Sequence, residues 1–325
     1  MKKKLQNAFY MMMRIREVGV VIPIIIAVII FAANNPTFLA PDNIVSILRN
    51  MSFVFITAIG MTYLITSGAF DLSVGPVYAF AGVFAATLMQ NDVHVVLSIL
   101  IATVFTGVFF GSMNGFFVVK IGVPPMLATL ATMNIARGIV TGVQKGNPVY
   151  PLPPGFTALG QGSFFKGSAF ELPYVVAIAL GLGIIAVFAL KYTVYGRMIC
   201  AVGGNKETSR HAGIPTQLVQ FSVFILISLL ASLAGILTAA RLDSAQPGVG
   251  TGYEMQTIAS VVIGGTSLAG GVGTVVGTFL GALFMSTISN GMTLIRISPF
   301  WQQFVLGLVL FVACSLDFVR SRLKK

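Results

Sequence analysis

The sequence predicts an all-α, polytopic membrane protein with about ten transmembrane helices. Three observations carry that prediction. Only 20 Lys+Arg and 9 Asp+Glu occur among 325 residues, which is 9% charged where a soluble domain carries roughly 25%. Apolar residues make up 56% of the chain, and its mean hydropathy is +0.92. The charges are also unevenly spaced and leave long apolar gaps between them. So few charges cannot cover a water-soluble surface, which excludes a cytosolic enzyme, a nucleic-acid binder and a disordered chain. The net charge of +11 is then read as a sorting of charge by membrane side.

A spanning helix needs about 20 mostly apolar residues, so the gaps mark the elements in order. Val18 to Pro41, Asn50 to Phe70, Leu72 to Asn91 and Val93 to Val119 are free of charge. The next run starts at Ile121 and continues past Arg137 to Val143. Leu172 to Leu190, His211 to Ala240 and Ile297 to Leu316 follow. Met255 to Ile295 is twice the length of one span and holds eight glycines, so it is read as two spans meeting at a break over Gly264 to Gly273. Re-entrant segments around Asp71 and Gly270 would lower the count to eight or nine. The basic start followed by an apolar run is read as an uncleaved first helix, because no clear cleavage site follows it.

Ten spans put both termini on one side. Lys2, Lys3, Lys4, Arg14, Arg16, Lys120, Lys191, Arg197, Lys206, Arg210, Arg320, Arg322, Lys324 and Lys325 fall on that side, against Glu17, Asp71, Glu207 and Asp317. The positive-inside rule makes it cytoplasmic. Arg49, Arg137, Lys145, Lys166, Arg241 and Arg296 are left for the other side or the span ends. The connection from Gln144 to Pro173, with Pro148, Pro151, Pro153, Pro154 and Pro173, is external and ordered against the membrane. The whole chain, 1–325, is one transmembrane domain, with a charged cytoplasmic loop at 192–215.

Enzyme chemistry is unsupported. No Gly-Lys dipeptide occurs, so the chain has no phosphate-cradling G-x-x-x-x-G-K-[ST] loop, and any ATP is hydrolysed by a partner. His94 and His211 lie near no Cys or carboxylate cluster that suggests zinc. Gly265-Thr266-Ser267-Leu268-Ala269 ends in Ala where a nucleophile elbow needs Gly. Cys200 and Cys314 are far apart and read as inert thiols.

Two segments break apolar runs with glycine-flanked polar residues. They are Ser67 to Pro76, holding Asp71, Ser73 and Gly75, and Gly264 to Gly273, holding Gly265, Thr266, Ser267, Gly270 and Gly271. Interrupted segments at comparable places in two halves mark a transporter repeat. Asp71 fits two readings: a functional intramembrane carboxylate, or a helix N-cap at the cytoplasmic boundary. Asn114, Asn134, Asn290 and Tyr253 are further polar groups that either line a path or bond neighbouring backbone. Gly273, Gly277 and Gly281 repeat on one helix face, with similar spacing in Gly111–Gly115 and Gly138–Gly142. Packing within one subunit and a place along a permeation path or dimer seam both fit that spacing. In the cytoplasmic loop, Gly203-Gly204-Asn205 reads as a turn and Lys206 to Ala212 as a short helix. Asn205 would cap that helix, Glu207 would lie in its first turn, Gly213 would end it, and Pro215 would open the next helix. A knob for docking a partner and an ordinary solvated loop both fit it.

These residues resemble a known family. Asp71-Leu72-Ser73-Val74-Gly75, the loop Gly196-Arg197 through Gly203-Gly204-Asn205 to Gly213-Ile214, and the run from Ala239-Ala240-Arg241-Leu242-Asp243 to Gly264-Gly265-Thr266-Ser267-Leu268-Ala269-Gly270-Gly271 look like permease subunits of sugar ABC importers, of the ribose-permease type. The likeness covers nearly the whole chain. Ala69-Phe70 before Asp71 and Lys206-Glu207-Thr208 after Asn205 depart from the usual pattern. The resemblance implies a pathway formed with a second permease subunit, as a homodimer or a heterodimer, in the bacterial inner membrane. It implies an ATPase subunit that carries ATP and Mg on the cytoplasmic face, and an external substrate-binding protein that delivers the sugar. The chain itself would hold no cofactor. The coupling contacts would fall on Gly203, Gly204, Asn205, Lys206, Glu207, Arg210 and Gly213. The substrate would be a monosaccharide, ribose or a similar pentose or hexose. A nucleoside, a branched-chain amino acid or a furanose signal is the alternative, and a secondary transporter stands further off.

Overall fold

The computed structural model describes residues 18–166 and 171–322, and within them the chain is helical almost throughout. In order, the helices are α1 (Val18–Asn34), α2 (Pro41–Thr66), α3 (Val74–Gln90), α4 (Val95–Gly115), α5 (Pro125–Gln144), α6 (Pro154–Gln161), α7 (Tyr174–Tyr192), α8 (Val194–Gly204), α9 (Lys206–His211), α10 (Thr216–Leu242), α11 (Tyr253–Ile263), α12 (Val275–Leu294) and α13 (Pro299–Arg322). α4 runs on through a π-helical turn, Phe116–Ile121. A two-stranded hairpin, β1 (Ser163–Phe164) with β2 (Leu172–Pro173), closes the connection that also holds α6. Lys2, Lys3, Lys4, Arg14, Arg16, Lys324 and Lys325, on which much of the charge argument for the termini rested, lie outside the described residues.

Among the described residues, six helices are long and apolar enough to cross a bilayer: α2, α4 with its π turn, α5, α7, α10 and α12. Three more helices carry shorter apolar stretches: Val20–Asn34 of α1, Val74–Gln90 of α3 and Phe300–Ser315 of α13. The expected count of ten full spans is therefore not what the helix lengths show. A charge-free gap counts Gly, Ser, Thr and Pro as span, and those residues form loops. Leu72 to Asn91 yields the 17-residue α3. Met255 to Ile295 divides, as expected, at Gly264 to Gly273, but its first part is only the 11-residue α11.

Apolar side chains alone do not hold helices together in lipid, so close backbone approach matters. α10 is the hub, packed against α2, α3 and α4. Gly107, Gly111 and Gly115 of α4 lie against Leu229, Ile225 and Phe221 of α10, so close that an added methyl would come within 2.7 Å of each neighbour. Gly60 of α2 meets Ile227, and Gly82 of α3 meets Gly235. α2, α10 and α12 are mostly buried, whereas α4, α5 and α7 turn Leu100, Val104, Ile139, Ile184 and Ile185 outward. That outward apolar band is what a bilayer requires.

Candidate functional site

α2 ends at Thr66, and the chain does not become helical again until Val74. Asp71 sits in this first break and is fully buried. Its Oδ1 accepts from the Ser73 amide at 2.7 Å and the Ser73 hydroxyl at 2.6 Å, and its Oδ2 accepts from Asn114 Nδ2 at 3.0 Å. Asn114 Nδ2 also donates to Ser73 Oγ at 2.9 Å, which pins the break to α4. Asp71 lies two residues ahead of Ser73, the residue that precedes α3, so its bond from the Ser73 amide closes a turn within the break and is not a side-chain cap of α3.

α11 ends at Ile263, and the second break runs to Thr274, which caps α12 by accepting from the Gly277 amide at 3.2 Å. Gly265, Gly270 and Gly271 have φ of 92°, 84° and 77°, a region L side chains avoid. These glycines let the loop fold on itself, with Ser267 N bonded to Val272 O at 3.0 Å. Gly264, Thr266 and Ser267 are buried, Gly265, Gly270 and Gly271 are partly so, and Leu268 and Ala269 are exposed at the tip.

The two breaks meet. The Gly271 amide donates to the Thr66 carbonyl at 2.8 Å. A Cβ on Gly273 would lie 2.0 Å from Thr66 Oγ1, and a Cβ on Gly270 would lie 3.2 Å from the Gly68 Cα. Onto this junction comes the end of α8. A Cβ on Gly203 would fall 1.8 Å from the Thr66 carbonyl oxygen and 2.7 Å from the Gly271 amide, and one on Gly271 would lie 3.0 Å from the Gly204 Cα. Three motifs far apart in sequence thus share one backbone-to-backbone contact. Gly203 and Gly204 were expected in a turn; they are instead the last residues of α8, because Asn205 is the residue that leaves helical geometry.

α9 projects from this junction. Asn205 Oδ1 accepts from the Thr208 amide at 2.9 Å and caps it, with Glu207 in the first turn and Arg210 and His211 in the last. That charge order suits the helix dipole. Gly213, at φ 82°, closes α9 while Ile214 N bonds Ser209 O at 3.0 Å. Gly204, Asn205, Lys206, Glu207, Arg210 and Gly213 are exposed, and only Ser209 of the helix is buried. Lys206 is tied inward: its Nζ donates to Gln220 Oε1 at 2.7 Å, and Gln220 Nε2 donates to the buried Ser67 carbonyl at 3.0 Å. Gln220 was missed from sequence. It lies in a charge-free gap, and its signal, a polar residue in the first turns of an apolar helix, is weak.

The remaining residues fall elsewhere. Gly277 and Gly281 face the C-terminal end of α11 within this chain, since a Cβ on Gly277 or Gly281 would lie 1.9 Å from the carbonyl of Gly264 or Ser260, whereas Gly273 lies ahead of α12, against Thr66. A Cβ on Gly138 or Gly142 would meet nothing within 4 Å. Gly75 lies at the far side of the first break, where a Cβ would come 2.3 Å from the Gly250 carbonyl. The Tyr253 hydroxyl donates to the Phe53 carbonyl at 2.7 Å, and its ring packs tilted against Tyr78 with centroids 4.5 Å apart. Asn290 Nδ2 donates to Asn43 Oδ1 at 2.9 Å, and Asn134 to its own helix at 2.9 Å.

Paired interrupted helices in an apolar bundle, with the end of α8 seated on both breaks, define a multi-pass membrane protein. A family model described as the permease component of the branched-chain amino acid transport system matches residues 43–314, and the chain belongs to that family. It is 38% identical over 309 residues to the ribose import permease protein RbsC of Bacillus subtilis, covering 94% of each chain. It is 38% identical to RbsC of Escherichia coli K12, over 91% of this chain and 92% of that one. It is 34% identical to the D-allose transport system permease protein AlsC of E. coli K12, over 91% and 90%. No solved structure matches it.

Proposed function

We propose that this chain is the membrane-embedded permease subunit of an ATP-driven, binding-protein-dependent importer for a monosaccharide, ribose or a similar pentose or hexose. The observation that carries the reading is the seating of the end of α8 on both helix breaks through Gly203, with the exposed α9 following directly from it. An ATPase subunit, bearing ATP and Mg, docks on the exposed face of α9 through Glu207 and Arg210. Its closure moves α9, and α8 transmits that movement to the junction of Thr66, Gly68, Gly270 and Gly271. The relay from Lys206 through Gln220 to the Ser67 carbonyl supplies a second link.

Several finer features follow from the same reading. α1, α3, α11 and α13 complete ten membrane segments with the six long apolar helices, α1, α3 and α11 being short. Both termini then share the cytoplasmic face with α9. A second permease subunit completes the pathway, and an external binding protein delivers the sugar. The relatives named for ribose and allose import support the sugar class over other solutes. The test is reconstitution in vesicles with the cognate ATPase and binding protein. Uptake should require ATP, and Glu207→Ala with Arg210→Ala should lower ATPase binding and uptake together. Uptake by the chain alone, driven by an ion gradient, would overturn the reading.

A further inference from the structure

The segment between α10 and α11 does something that the sequence reading did not foresee. Ala245 pairs with Val149 through reciprocal amide–carbonyl bonds of 3.1 and 2.9 Å, at the end of the bundle where Gln90 donates to the Tyr150 carbonyl. Five residues later, Gly250 lies against Gly75, in the first turn of α3: a Cβ on either would come within 2.6 Å of the other's carbonyl. Gly75 and Gln90 are about 22 Å apart along α3. The segment therefore descends from one end of the bundle toward its middle without forming a helix. Its backbone alternates: Ala245 and Pro247 are buried, Gln246 and Gly248 are exposed, and Thr251 is exposed beyond them.

Non-helical backbone at the depth of Gly250, with the polar Thr251 exposed beside it, cannot face hydrocarbon; it is tolerated only where protein or water covers it. The segment is also braced from inside the bundle. Arg137, well inside α5 and read from sequence only as a cation left over from the cytoplasmic set, donates Nη1 to the Pro247 carbonyl and, at 2.9 Å, to the Val249 carbonyl. Gln246 O accepts from Val249 N at 3.2 Å, and Gly248 O from Thr251 Oγ1 at 2.9 Å. The carbonyls of 246 to 249 thus already have donors within the chain. What remains on the open side is one amide side chain, one glycine and one threonine.

We propose that Gln246, Gly248 and Thr251 form a wall of the water-filled translocation path, and that Arg137 is the positioning residue that holds the wall in shape. This rests on the permease reading and adds the place where solute passes. With the carbonyls already paired, the wall offers a hydroxyl-rich solute few strong contacts. That suits a passage fed by an external binding protein, which must release its cargo quickly.

The test is thiol labelling in a chain carrying Cys200→Ser and Cys314→Ser, assembled with its ATPase in vesicles. Gln246→Cys, Gly248→Cys and Thr251→Cys are compared with Ile184→Cys and Ile185→Cys, which lie on the outward face of α7 at 70% and 66% exposure. The probe is a charged, membrane-impermeant methanethiosulfonate. It reacts with the thiolate, which forms in water and not in hydrocarbon. The three wall positions should label at least tenfold faster than the two controls. Arg137→Met should change labelling at Gln246→Cys at least threefold, while Arg137→Lys should change it less. Wall positions that label no faster than Ile184→Cys and Ile185→Cys, with uptake still ATP-driven, would overturn the wall alone. Fast labelling in a chain whose uptake needs no ATP would uphold the wall and overturn the importer. Unchanged labelling in Arg137→Met would remove the positioning role.

Discussion

Gly203 and Gly204 are neighbours in α8, yet the structure assigns them opposite tolerances. Alanine at 203 would place its Cβ 1.8 Å from the Thr66 carbonyl oxygen, where 3.4 Å is an ordinary contact, so the two backbones must part by about 1.6 Å. Neither contacting atom is a side chain that can swing away. Overpacking of this kind costs ~1–3 kcal/mol. The same methyl would crowd the Gly271 amide, 2.7 Å away, and disturb its bond to Thr66, adding ~1 kcal/mol. Alanine at 204 meets nothing within 4 Å and gains slightly in helix propensity. In detergent, Gly203→Ala should melt at least about 5 °C below Gly204→Ala. In vesicles it should lower sugar uptake several-fold more than ATP hydrolysis, because α8 no longer rests on the breaks. Equal melting and equal uptake per ATP in the two variants would refute the seating of α8 on the junction, and with it the transmission route.

The remaining predictions concern the same architecture. Lys206→Met and Gln220→Leu should each reduce uptake per ATP hydrolysed while the ATPase stays bound, measured by parallel transport and phosphate-release assays; unchanged stoichiometry in both would exclude the relay. Asp71→Ala leaves the Ser73 amide and hydroxyl without their acceptor in a buried site, at a cost of ~1–3 kcal/mol, whereas Asn114→Ala removes a single bridging amide and should cost less. Thermal unfolding of the two variants checks that order. Gly277→Ala and Gly281→Ala should destabilise the chain through contacts of 1.9 Å with α11, while Gly138→Ala should be neutral within ~0.5 kcal/mol, and a reversed order would show that α12 does not pack where it is placed.

What was legible in the sequence follows from what each signal measures. Hydropathy reports transfer out of water, so it found the apolar helices and both breaks. It could not separate a full span from a half span joined to a glycine loop, which is why α11 and α3 were counted as equal to α10. Local capping chemistry was readable because it acts within a few residues. Asn205 capping α9 and Gly213 closing it are such cases. Asp71 differs: its bonds from Ser73 close a turn ahead of α3 without capping the helix, and its third bond, from Asn114, is not local. Long-range contacts between backbones leave almost no mark on the chain. Gly203, Gly68 and Gly271 each looked like turn glycines, and nothing in their spacing says that they touch. Arg137 shows the limit most sharply. The apolar run continues past it to Val143, and nothing in the neighbouring sequence names what would pair a charge that is costly there when unpaired. The structure pairs it with two carbonyls of a segment more than a hundred residues away, so the cost falls on neither partner. An apolar run interrupted by one arginine is therefore evidence for a hidden acceptor as much as for a boundary. In this fold that acceptor is the backbone between α10 and α11, which reaches Gly75 in the first turn of α3.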